Sequence, residues 1–168
     1  MLRALALALT VLTGISGLVY EVAWQKYLAT LLGSHSEATA AVLGLFLAGL
    51  SIGYWVFGFV SKRLVERGLR DEKPPALLIA YGIAEIGVGI YALAFPSLFR
   101  VAASASGRVG FESVASAFAF DVGLSALLLL PPTILMGGTI PMLTQGLSRD
   151  TEDATRLHAL VYAFNTVG

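Results

Sequence analysis

Long apolar stretches alternate with short polar segments along the whole chain. A helix that crosses the hydrocarbon core of a bilayer needs about 20 mainly apolar residues. Four stretches reach that length: residues 4–32, 38–60, 76–99 and 117–146. A fifth starts near residue 157. The pattern predicts an all-α, polytopic integral membrane domain over residues 1–168, with four full spans and the start of a fifth.

The composition supports this prediction. Hydrophobic residues make up 57% of the chain and charged residues 13%, whereas soluble domains carry about 25% charged residues. The formal net charge is zero and cysteine is absent. Nothing therefore favours a nucleic-acid partner, a disulfide or a thiolate metal site. The partner that the composition indicates is the lipid bilayer.

Positive charges lie mostly on one side of the predicted spans. Eight of the eleven Lys and Arg residues belong to that side: Arg3, Lys62, Arg63, Arg67, Arg70, Lys73, Arg149 and Arg156. Cytoplasmic loops carry the excess of positive charge, so we predict a cytoplasmic N-terminus in a bacterial inner membrane, with loops 33–37 and 100–116 outside. The apolar N-terminus continues past any signal-peptide cleavage point, and we expect it to be an uncleaved first span.

Three acidic residues lie inside predicted spans: Glu21, Glu85 and Asp121. Intramembrane acids are costly and by default indicate a functional site; the alternative is a carboxyl that only hydrogen-bonds neighbouring helices. The first two each share a helical face with small residues, namely Gly14, Gly17, Gly82 and Gly89. Small residues let helices approach closely, so we expect Glu21 and Glu85 to face the protein interior. Asp121 lies nearer the outer boundary, where hydration is easier.

Aromatic residues accompany two of these acids. Tyr20 precedes Glu21, and Tyr81 lies one helical turn before Glu85. Carboxylates beside aromatic faces suit an organic cation through ion pairing and cation–π attraction, so an amine is a candidate ligand. Four other aromatic residues are instead expected to anchor the helices at the interface or to pack: Trp24, Tyr27, Tyr54 and Trp55.

Prolines and glycines interrupt the fourth predicted span: Pro131, Pro132, Gly137, Gly138 and Pro141. Proline removes a backbone donor, so we expect a broken helix. Broken helices near the membrane midplane are typical of transporter binding sites, and a kink that only improves packing is the alternative. Under the first interpretation, the two glutamates border one polar cavity next to the break.

The remaining polar residues do not form a recognisable catalytic or metal site. His35 and His158 have no second ligand at metal spacing. Asn165 is expected to dock helices by hydrogen bonding, with substrate contact as the alternative. No strand–loop–helix nucleotide-binding unit occurs. We therefore predict no metal, no cofactor and no catalytic residue in this segment.

Four segments carry a resemblance to a known family: "SGLVYEVAWQKYLATLLGS", "LGLFLAGLSIGYWVFG", "LLLLPPTILMGGTIPML" and "VYAFNTVG". They look like the membrane domain of spermidine synthase-like proteins, fusions of a major-facilitator-like membrane region with a spermidine synthase-like domain. The resemblance implies a major-facilitator-like fold and further spans, so we expect these residues to be part of a longer chain. It implies decarboxylated S-adenosylmethionine as a substrate only in a soluble domain absent from this segment.

Three roles follow from these observations. The membrane region anchors or serves an aminopropyltransferase-like domain that is absent from this segment. Alternatively, it binds or moves a cationic amine itself, with Glu21 and Glu85 as counter-charges. In the third interpretation it is a structural subunit that associates with other membrane subunits, and its acids only satisfy neighbouring helices.

Overall fold

The computed structural model describes residues 2–33, 36–66, 74–148 and 150–168. Several residues used in the sequence predictions lie outside these ranges: His35, Arg67, Arg70, Lys73 and Arg149.

The described residues form five α-helices and no strand. The helices are α1 (Leu2–Leu32), α2 (Ser36–Leu64), α3 (Pro74–Ser106), α4 (Val114–Leu147) and α5 (Thr151–Val167). The first four are long and apolar enough to cross a membrane. The predicted all-α class with four long apolar helices is therefore confirmed.

The fifth helix begins earlier than predicted. We placed its start near Leu157, but α5 begins at Thr151. The Asp150 side chain accepts a hydrogen bond from the backbone N–H of Asp153 at 2.8 Å, which satisfies a helix donor that has no intrahelical partner. Glu152 and Asp153 lie in the first turn, where negative charge is favoured by the helix dipole. The polar segment 151–156, which lies before the predicted apolar stretch, thus forms the start of α5, with Asp150 as its N-cap.

The expected interruption of the fourth span is not observed. α4 is one helix from Val114 to Leu147, with Pro131, Pro132 and Pro141 inside it. Pro132 cannot donate to the carbonyl of Leu128, four residues earlier. That carbonyl instead accepts a hydrogen bond from the Tyr91 hydroxyl of α3 at 2.9 Å. A neighbouring helix thus satisfies a group that the proline leaves unpaired, which is how such prolines are tolerated in lipid.

Helix α4 packs closely against α2 at glycine residues of both helices. A Cβ placed on Gly53 would lie 2.8 Å from the carbonyl carbon of Ile134, and one on Gly137 would lie 2.8 Å from that of Leu50. Only glycine permits backbones to approach this closely. The glycines of the "GG" pair (Gly137 and Gly138) and of the "G-x-x-x-G" pattern (Gly49 and Gly53) therefore allow α2 and α4 to approach closely.

The small-residue face predicted for the third span is displaced. Nothing lies within 4 Å of a Cβ placed on Gly82 or Gly89. Gly87 faces α4 instead, where its Cβ would contact Leu135 at 3.4 Å. On another face of α3, opposite the buried Ala84 and Val88, a set of large apolar residues is exposed: Ile79, Ile83, Ile86, Ile90 and Leu93. Their spacing forms one continuous stripe, as expected of a surface that faces lipid.

Two apolar clusters occupy opposite ends of the bundle. The tryptophan cluster contains Trp24, Leu28, Leu32, Ala38, Val42, Phe46, Phe95, Ala102, Leu128 and Leu129. The tyrosine cluster contains Ala6, Tyr81, Ala84, Met142, Leu143, Leu147, Leu157 and Val161. In α1 and in α3 the two clusters use opposite halves of the same helix, so the middle of the bundle lies between them.

Replacing Tyr91 by phenylalanine should lower the free energy of unfolding by about 1.5 kcal/mol, because the Leu128 carbonyl loses its partner. Denaturant titration in mixed micelles measures the change. Tyr27→Phe is the matched control, since Tyr27 packs its ring against Phe95 and Phe99, and it should be nearly neutral. In a Pro132→Ala background, which restores an N–H donor, the Tyr91→Phe loss should shrink. Equal losses for both tyrosines would contradict this role.

Candidate functional site

A cavity of about 650 Å³ lies in the middle of the bundle, between the tryptophan and tyrosine clusters. All five helices contribute to its wall. The polar lining residues are Thr13, Ser16, Tyr20, Glu21, Ser51, Tyr54, Glu85, Thr139, Tyr162, Asn165 and Thr166. In α1 the cavity residues 13–21 fall between Ala6 of one cluster and Trp24 of the other. This central cavity is therefore enclosed by apolar side chains toward both ends of the helices.

The structure brings Glu21 and Glu85 to the same cavity. Both are partly buried. Gly17, one turn before Glu21, faces the Met136 side chain of α4, so this side of α1 is turned toward the bundle, as the small-residue face predicted. The placement makes a shared role geometrically feasible; that they bind a substrate remains a prediction.

The two predicted tyrosines occupy different positions. Tyr20 lines the central cavity and stacks on Trp24, with ring centroids 5.3 Å apart. Tyr81 is buried in the tyrosine cluster, and its hydroxyl lies next to Glu85 and Thr13. Tyr20 thus connects the cavity to the apolar cluster at one end, while Tyr81 supports Glu85 from the other.

Asp121 does not join the other two acids. It is not among the lining residues of the central cavity. One oxygen of its carboxyl is buried and has no hydrogen-bond partner among the described residues. A contribution of Asp121 to the same binding site therefore has no geometric support.

Hydroxyl groups around the central cavity already donate to their own helices. Ser51 donates to the Leu47 carbonyl at 2.8 Å and Thr139 to the Met136 carbonyl at 2.7 Å. The same internal bonds are made by three further lining residues: Thr13, Ser16 and Thr166. A hydroxyl has one proton and two lone pairs, so these oxygens can only accept hydrogen bonds from a ligand.

The charge balance of the cavity favours a cation. Among the lining residues that the structure describes there are two carboxyl groups and no Lys, Arg or His. Lys26, the basic residue nearest to Glu21 in sequence, is exposed to the surroundings. A ligand that donates hydrogen bonds and carries positive charge would find acceptors on several helices at once.

The prolines of α4 do not line the central cavity, whereas Gly137 does. We expected carbonyls freed by these prolines to form part of the site. Pro131 is exposed and Pro132 is buried, and Pro141 lines a second cavity described below. Gly138 lies against the Phe57 ring. The contribution of α4 to the site thus comes from residues 136–140, one or two turns beyond the paired prolines.

Three lining residues were not expected primarily as part of a binding site. Tyr54 was expected to anchor or pack, but it lines the central cavity. Asn165 also lines it, while its backbone carbonyl lies against Gly14. The contact of α5 with α1 thus uses the Asn165 backbone, and the hydrogen bond expected of its side chain stays a prediction. Tyr162 was not singled out. Its spacing of three residues from Asn165 was the signal that both share a helical face.

Comparison with models of known protein families, with curated proteins and with solved structures found no match to this chain. The fold defines an all-helical protein with four helices able to span a membrane, and its central cavity carries two acidic side chains.

Proposed function

We propose that this chain is a membrane-embedded domain that binds a small organic cation of the amine class in its central cavity. One observation carries the proposal: Glu21 and Glu85, from two different helices, line the same cavity, and no basic side chain stands among its described lining residues. Acidic groups at this depth are costly unless paired or protonated. A bound cation offsets that cost and gives both carboxylates a partner.

The cavity's other groups suit an organic amine. Ammonium groups donate hydrogen bonds, and the hydroxyls of Ser51 and Thr139 have only acceptor capacity left. The ring of Tyr20 on the cavity wall offers a face for cation–π attraction. A volume of about 650 Å³ lies in the range of small-molecule pockets, about 300–1,000 Å³.

The sequence resemblance supports the same ligand class. We propose that the chain belongs to the membrane region of spermidine synthase-like proteins and that its helices have a major-facilitator-like arrangement. Aminopropyl transfer from decarboxylated S-adenosylmethionine then belongs to a separate soluble domain, and the helices described here carry no catalytic step. The membrane domain would bind or pass the amine.

The proposed orientation has the N-terminus in the cytoplasm of a bacterial cell, with the chain in the inner membrane. Its support is the distribution of Lys and Arg along the sequence. Arg3, one of the residues on that side, pairs with Asp153 and donates to the Leu147 carbonyl at 2.9 Å. These contacts join the ends of α1, α4 and α5 on the side proposed as cytoplasmic.

Diaminobutane should raise the thermal unfolding midpoint of the purified protein in detergent, because a ligand that binds only the folded state stabilises it. Butanediol, which has a similar length but no charge, should leave the midpoint unchanged at the same concentrations. The measurement is made at constant ionic strength to remove general salt effects. Equal stabilisation by both compounds, or by neither, would reject the amine site.

A further inference from the structure

A second cavity, of about 400 Å³, lies where α2 and α4 end and α5 begins. Its polar lining residues include Lys62, Thr144, Gln145, Thr151, Thr155 and His158. Tyr54 lines both cavities, and its hydroxyl lies 3.3 Å from Nε2 of His158. We call this space the end cavity. It differs from the central cavity in the charge of its wall.

The end cavity presents positive charge and hydrogen-bond donors. Lys62 supplies an ammonium group from α2, and Gln145 supplies an amide from α4. No acidic residue occurs among the lining residues that the structure describes. Thr151 and Thr155 lie in the first turns of α5, where the helix dipole is positive and attracts anions.

Four acidic residues lie near the end cavity without lining it: Glu66, Asp150, Glu152 and Asp153. Asp153 accepts hydrogen bonds from Arg3, and Asp150 accepts from the α5 backbone. Glu66 lies 3.8 Å from the Lys62 ammonium, but both side chains are well exposed. An exposed pair of this kind contributes little, so it would not prevent an anion from binding Lys62.

A buried hydroxyl in the wall lacks a partner. Thr144 is 3% exposed, and its Oγ1 has no hydrogen-bond partner among the described residues. Buried polar groups are nearly always hydrogen-bonded. This unpaired hydroxyl is independent of the charge pattern, and a group bound in the end cavity would supply the partner that it lacks.

We propose that the end cavity binds a phosphate group. Lys62 neutralises its charge, while the amide of Gln145 and the hydroxyl of Thr151 donate hydrogen bonds to its oxygens. The Thr155 hydroxyl already donates to the Thr151 carbonyl at 3.1 Å and does not contribute a donor. The cavity lies at the ends of the spanning helices, the level at which lipid headgroups sit, and basic pockets between membrane helices bind anionic headgroups. The phosphate of an anionic phospholipid and free inorganic phosphate share this chemistry. The proposal is independent of the amine site.

Binding is measured as the concentration-dependent rise of the thermal unfolding midpoint of the purified protein in neutral micelles. The probes are short-chain phosphatidylglycerol, short-chain phosphatidylcholine and sodium phosphate at constant ionic strength. Phosphatidylglycerol should stabilise more than phosphatidylcholine. Stabilisation by sodium phosphate as well would show that the phosphate group alone is sufficient; its absence, with phosphatidylglycerol active, would assign the site to the lipid.

Lys62→Gln should weaken the apparent affinity by up to about fivefold, because an ion pair of an exposed ammonium group contributes at most about 1 kcal/mol. Arg63→Gln is the matched control: it removes the same charge one residue away, but Arg63 lies over the Phe59 ring and does not line the end cavity. It should change the affinity less than about twofold, because Arg63 would not contact the bound group. Equal losses in the two variants, or no preference for the anionic probes over the zwitterionic phosphatidylcholine, would overturn the proposal.

Discussion

Replacing Gly53 by alanine should lower the free energy of unfolding by about 3 kcal/mol, at the upper end of what overpacking costs. The added methyl group would meet the backbone of Ile134, with its carbonyl carbon at 2.8 Å and its Cα at 3.0 Å. Backbone atoms cannot rotate away as a flexible side chain can, so α2 and α4 would have to separate. Denaturant titration in mixed micelles measures the loss.

Gly44→Ala is the control for this substitution, because it makes the same chemical change in the same helix. Nothing lies within 4 Å of a Cβ placed on Gly44. Alanine has a higher helix propensity than glycine by about 1 kcal/mol, so Gly44→Ala should be neutral or stabilising. If Gly53→Ala were equally harmless, the close contact between α2 and α4 would be wrong.

Replacing both Glu21 and Glu85 by glutamine should weaken diaminobutane binding about a hundredfold. Each substitution removes one negative charge that would bind an ammonium group, and a hydrogen bond to a charged group contributes about 1.5–3 kcal/mol, or about tenfold or more in affinity. Glutamine has nearly the same shape as glutamate and still hydrogen-bonds. Stability without ligand should therefore change little, and ligand-dependent stabilisation should be lost.

Asp121→Asn provides the matched control, since it also neutralises a carboxyl within a long apolar helix but lies away from the central cavity. Its affinity for diaminobutane should equal that of the wild type. A comparable loss in Asp121→Asn would indicate a general effect of membrane charge. Unchanged binding in the double glutamine variant would show that the glutamates are structural.

These two predictions are related through α4. Its contact with α2 at Gly53 and Gly137 sets the separation of the two helices, and Gly137 also lines the central cavity. A substitution that forces the helices apart should therefore also alter the cavity. The Glu21 and Glu85 variants, in contrast, change its charge without moving the backbone. Comparing both sets separates loss of shape from loss of charge.

The sequence by itself indicated the class of protein, because apolar segments of this length with few charges are most stable in the hydrocarbon core of a bilayer. It also indicated that Glu21 faces inward, since Gly14 and Gly17 share its face. Which residues share a helical face depends only on their spacing within that helix. The spacing can be read from the sequence without knowing which other helices pack against it.

Only the tertiary structure decided how the helices use their prolines, glycines and polar residues. Pro132 leaves the Leu128 carbonyl unpaired, and whether the helix breaks depends on Tyr91, which is distant in sequence and adjacent in space. Gly87 rather than Gly82 faces α4 because the rotation of α3 is set by packing. Tyr54 and Asn165 reach the central cavity for the same reason. A site formed between helices depends on their relative rotation and register, and contacts between distant residues determine both.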